Sequence, residues 1–126
     1  MPVLITGPDI IDGSHIPAVI VINAISGDFL LKVLSLAANQ VGFGDDFGGC
    51  SFPGELDPWE APLPPNCVEC VLTDGRTALI TFDEYYYYLE IYALSYIKYF
   101  PEQKEKIEEL LRQVRQGLCL KEYKEK

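Results

Sequence analysis

Positive charge is what this chain has least of. Of its 126 residues, 10 are Lys or Arg and 19 are Asp or Glu, a net charge of −9. Within residues 1–100 the only basic side chains are Lys32, Arg76 and Lys98. That scarcity excludes a general affinity for nucleic acid or for anionic membranes, both of which attract clustered Lys and Arg. Histidine is nearly absent, with His15 alone, so a serine or cysteine triad would need an unusual base. Long apolar runs are missing too. The longest, Ile16 to Ile25, is broken by Asn23 and falls well short of the roughly 20 residues that span a bilayer. Asp9 and Asp12 stand where a secretory signal would need positive charge, so the expectation is a soluble protein kept in the cytoplasm.

Motifs that carry chemistry fail in the same way. Gly42 and Gly44 begin a G-x-G-x-x-G pattern, but Phe47 stands at the third glycine. Cys67 and Cys70 form a C-x-x-C, yet Cys50, Cys119 and His15 are not at ligand spacing for a zinc site. A redox pair belongs at a helix start, whereas this one opens a strand-like run. The four cysteines are therefore expected as reduced, mostly buried thiols, with no metal and no cofactor. Asp45-Asp46 reads as a solvated turn rather than a catalytic dyad.

What is present is a mixed pattern of helices and one hairpin. Phe29–Gln40 repeats apolar residues at helical spacing, with Asp28 as an N-cap and Gly42 as a stop. Ile16–Ile25 is ambiguous: Val19 to Ile22 favour a strand, while Ser14 and Pro17 resemble a helix start, and a short buried helix is preferred. Residues 42–66 are crowded with Gly42, Gly44, Gly48, Gly49, Gly54 and five prolines, which predicts no long regular element. Cys67–Leu72 and Thr77–Thr81 flank a turn around Asp74-Gly75 and read as a hairpin. Thr81 and Glu84 form a capping box for a helix to about Phe100, and Pro101 opens another. In that last helix Ile107, Leu110, Leu111, Val114 and Leu118 make one stripe, Gly117 closes it, and Glu102–Lys106 and Glu108–Arg112 are i, i+4 pairs. The expected architecture is one α+β domain over residues 1–126. Its small antiparallel sheet around 67–81 packs against several helices, with the 82–100 helix central.

Two features bear on function. Residues 42–66 interleave Asp45, Asp46, Glu55, Asp57 and Glu60 with Phe43, Phe47, Phe52 and Trp59. The 82–100 helix carries tyrosines on several sides, including Tyr85, Tyr88 and Tyr92. A helix apolar nearly all round is either central in a core or a binding surface. The acidity is either a solubility device or a field that draws in a cationic partner.

The run Gly27-Asp28-Phe29-Leu30, then Val41-Gly42-Phe43-Gly44-Asp45-Asp46, then Cys50-Ser51-Phe52-Pro53, resembles the immunity proteins of contact-dependent growth inhibition. More narrowly, it is similar to those that counter ribonuclease toxins. Phe82-Asp83-Glu84-Tyr85-Tyr86-Tyr87-Tyr88-Leu89 and Tyr99-Phe100-Pro101-Glu102 fit the same pattern. The resemblance implies a non-catalytic cytoplasmic protein that binds the C-terminal toxin domain of a large partner, with no direct contact to nucleic acid or membrane. It carries over no contact set. On charge and aromatic content, Asp45, Asp46, Glu55, Asp57, Trp59 and Glu60, with Tyr85, Tyr88 and Tyr92, are the candidate toxin-binding residues. Two other classes stay open at this point: an acidic adaptor that docks through the tyrosine helix, and a small carboxylate-dependent enzyme.

Overall fold

The computed structural model describes residues 5–55, 59 and 62–120. Two helices come first, α1 (Ile16–Asn23) and α2 (Gly27–Ala38), turning by 119° between them. Four strands follow: β1 (Gly44–Asp45), β2 (Gly48–Ser51), β3 (Cys67–Leu72) and β4 (Thr77–Thr81). Helices α3 (Phe82–Tyr99) and α4 (Lys104–Gly117) complete the α+β domain.

The ambiguous first segment is a helix because it is enclosed. Pro17, Ala18, Val19, Val21 and Ile22 are all buried, with β2, β3 and β4 against one flank and α3 against another. β-branched residues lose little by adopting a helix when every side finds an apolar neighbour. Asn23 ends it and pairs like a strand residue with Ile5. Its Oδ1 accepts the Ile5 N–H at 2.9 Å, and its Nδ2 donates to the Ile5 carbonyl at 3.0 Å.

The strands form an antiparallel meander in the order β1-β2-β3-β4. The hairpin stands where the Asp-Gly turn placed it, with Gly75 the one residue of that turn at positive φ, 97°. Strands β1 and β2, two and four residues long, are short enough to fit the expectation of no long regular element there, but they were not foreseen. Gly48 and Gly49 pair through their backbones with Leu72 and Val71, so the ladder needs no β-prone side chains. One face of the sheet is buried through Cys50, Val68, Cys70, Leu72, Ala78 and Ile80. The other shows Val71 and Leu79 to solvent. Because β3 alternates, Cys67 and Cys70 point to opposite faces, and the C-x-x-C is not a pair.

Helix α3 begins with the expected capping box. The Glu84 N–H donates to Thr81 Oγ1 at 3.1 Å and the Thr81 N–H donates to Glu84 Oε1 at 2.8 Å. It buries Phe82, Tyr85, Tyr86, Tyr88, Leu89, Tyr92, Ala93 and Tyr96, and shares the centre of the core with α1 rather than holding it alone.

Helix ends differ from expectation, and the two glycines expected to stop helices serve close packing instead. The cap of α2 is Ser26, not Asp28. Its left-handed C-terminal residue is Gln40 (φ 56°), not Gly42, with Val41 N–H donating to the Leu36 carbonyl and Gln40 N–H to Ala37. The same motif closes α4 at Cys119 (φ 60°), not Gly117. A Cβ on Gly42 would sit 1.8 Å from the Cys50 carbonyl oxygen, and one on Gly117 would sit 1.8 Å from that of Ala38. The expected ion pairs of α4 also shift, to Lys104–Glu108 at 2.9 Å and Arg112–Glu109.

Candidate functional site

The strands and loops between α2 and β3 carry most of the candidate residues. Asp46 and Phe47 form the two-residue connection between β1 and β2, since Asp45 pairs with Gly48 across it. Both are exposed, Phe47 at 58 %. The Phe47 carbonyl accepts the Thr73 N–H at 3.1 Å, which brings this tip beside the β3–β4 turn. There Arg76 Nε lies 3.0 Å from Asp74 Oδ2. The Arg76 backbone N–H, then its side chain, hold the Asp74 carboxyl below the usual carboxylate range. Trp59, farther along, is 80 % exposed. Tryptophan left in water at that level is either unremarkable chance or a surface kept for a partner. Asp57 and Glu60, which flank Trp59, lie outside the described residues.

Glu55 is exposed and also has a structural role. Its Oε1 accepts the Gly42 N–H at 3.0 Å and the Phe52 N–H at 2.8 Å. That oxygen is a brace across the loop, next to the Gly42–Cys50 close approach. Phe52 is fully buried, its ring 5.5 Å from those of Phe82 and Tyr85, so the brace sits above an aromatic anchor.

The tyrosines are the main correction. Tyr85, Tyr88 and Tyr92 are at most 1 % exposed and do not form a docking face. A phenol held inside the fold needs a partner for its hydroxyl; the segment before α1 supplies two and the α1–α2 connection a third. Tyr87 donates to the Asp9 carbonyl at 2.9 Å, Tyr88 accepts the Ile11 N–H at 2.9 Å, and Tyr92 donates to the Ile25 carbonyl. Tyr88 also lies 2.9 Å from Nδ1 of His15, which is itself buried. Tyr86 takes a donation from Arg115 at 3.2 Å, with the guanidinium over its ring. Burial first, then neighbouring Tyr96, pushes the Tyr92 hydroxyl up to about 12. Burial also raises Tyr85, Tyr88 and Tyr96.

Sequence reading missed a groove of about 770 Å³ between the start of α3 and the end of α4, walled by Asn66, Cys67, Tyr86, Arg115 and Cys119. Its walls come from three distant segments, and no local pattern marks them. Among the described residues no three His, Cys, Asp or Glu side chains are grouped to hold a metal ion. No single described helix is long and apolar enough to cross a membrane.

A family model described as CDI immunity protein matches residues 13–111, well over half of the chain. The chain belongs to this family, the immunity proteins of contact-dependent growth inhibition, which makes it a protein that neutralises a cognate toxin. No curated protein and no solved structure matches it.

Proposed function

We propose that this immunity protein neutralises a ribonuclease toxin by covering its cationic substrate cleft, in the cytoplasm of the producing cell and without a reaction of its own. The residues we assign to the contact are Asp45, Asp46, Phe47, Asp57, Trp59 and Glu60, chosen on charge and aromatic character in the sequence. The observation that carries the reading is the exposure of Phe47 and Trp59 within a segment that has no basic residue between Lys32 and Arg76. A cleft that binds RNA presents positive charge to phosphate, and an acidic surface is complementary to it. Carboxylates there speed encounter, and aromatic rings that become desolvated slow release.

The test uses the cognate toxin domain. The expected result is that this domain degrades RNA, and that the immunity protein stops it in a 1:1 complex. Asn at both Asp45 and Asp46 should lower the association rate by about tenfold at low salt and flatten its salt dependence. Unchanged kinetics in that double variant would remove this surface from the reading. A toxin domain with no action on RNA would remove the ribonuclease.

A further inference from the structure

Cys50 and Cys70 face each other directly across β2 and β3, with their sulfurs 3.1 Å apart. Directly opposed residues of an antiparallel ladder have Cα separations of about 4.5–5.5 Å, inside the window a disulfide accepts. Both side chains point into the buried face, and the two cysteines are not joined. The Tyr85 hydroxyl, which has no nitrogen or oxygen partner among the described residues, is turned to the same thiols. The C-x-x-C visible in the sequence is thus a distraction: Cys70 has its partner twenty residues upstream, not three.

We propose that Cys50 and Cys70 are an oxidative modification site, a dithiol that a peroxide converts to a cross-strand disulfide. Cys50 is 7 % exposed and Cys70 not at all, so Cys50 meets the oxidant. Its thiolate attacks one peroxide oxygen, the O–O bond breaks, and the Cys50 sulfenic acid forms with hydroxide leaving. The Cys70 thiol then attacks the sulfenic sulfur, the S–S bond forms, and the hydroxyl departs as water. Overall two thiols give up two electrons and two protons, and one hydrogen peroxide becomes two waters. The product ties together the two ends of the segment that carries Trp59, whichever partner that segment meets. Closing a loop of this length restricts the unfolded chain more than the folded one, so the oxidised protein is the more stable.

The experiment uses the full chain with Cys67→Ser and Cys119→Ser, so that only the opposed pair remains. Hydrogen peroxide is added, remaining thiols are alkylated, and intact mass and peptide maps are read. A loss of 2 Da, at roughly one disulfide per chain, with Cys50 linked to Cys70, is expected. The melting temperature should rise by about 10 °C and fall back with dithiothreitol. In a further Cys70→Ser variant, Cys50 should accumulate as a sulfenic acid that dimedone traps. Thiols that stay alkylatable, or oxidation that ends in a sulfinic acid on one cysteine, would overturn the proposal. So would a linked chain that melts no higher than the reduced one, or Cys70→Ser protein that dimedone fails to label.

Discussion

The Tyr88 hydroxyl sits 2.9 Å from Nδ1 of His15 while its oxygen takes the Ile11 N–H from another side. The phenol oxygen thus meets both the imidazole and a backbone amide, and the ring's other nitrogen is Nε2. That nitrogen faces Glu84 Oε1 at 3.7 Å, too far for a hydrogen bond, and Glu84 Oε1 already accepts the Thr81 N–H. One phenol thus fastens the N-terminal segment to the first turns of α3.

Tyr88→Phe removes that link and leaves the buried His15 ring and the Ile11 N–H without their shared partner. We expect a loss of about 2 kcal/mol in urea unfolding, with residues before α1 cut faster by protease. A change under 0.5 kcal/mol, on the scale typical of inert surface sites, would show that the N-terminal segment is held by something else.

Alkaline pH should test the inward-facing tyrosines together. A phenol whose folded pKa is raised contributes stability that is complete below its ordinary value of 10.0 and is lost as pH climbs through its folded value. For Tyr92 that window runs from 10.0 to about 12. Stability should therefore decline across it, and the 295 nm absorbance of Tyr92→Phe should lack one late-titrating phenol. Eight tyrosines titrating together near the ordinary value would contradict the packing of α3.

Gly117→Ala should be costly although alanine favours helices. Its Cβ would meet the Ala38 carbonyl at 1.8 Å and force α4 away from α2, a loss of about 2 kcal/mol or more. Gly54→Ala, where nothing lies within 4 Å, is the comparison and should change stability by less than about 0.5 kcal/mol.

Glu55 and Trp59 should separate brace from contact. Glu55→Ala removes the acceptor of two N–H groups and should lower stability by about 1 kcal/mol, with Glu55→Gln recovering much of it. Trp59→Ala should leave the unfolding midpoint unchanged, since the ring is in water, yet raise the toxin dissociation rate by about tenfold or more. Equal dissociation rates for Trp59→Ala and the unmodified protein would take Trp59 out of the contact surface.

Local signals were enough for much of this architecture. The Thr81–Glu84 box, the Asp74-Gly75 turn and the α4 stripe each depend on residues within one or two turns of chain, so their geometry is written in neighbouring positions. Charge distribution is equally readable, because it is a sum over residues and needs no fold. Strands β1 and β2 were hidden, since glycines that pair only by backbone leave no alternating side-chain pattern.

The linear order of residues settled that the chain is acidic, α+β, and rich in phenols along one helix. Only the packed molecule decided where those phenols point. A side chain's exposure depends on segments remote in sequence: Tyr88 is 77 residues from the Ile11 amide it accepts, and Tyr92 is 67 from the Ile25 carbonyl. Long-range closure likewise matched Cys50 to Cys70, made Glu55 a brace, and left Phe47 and Trp59 facing solvent.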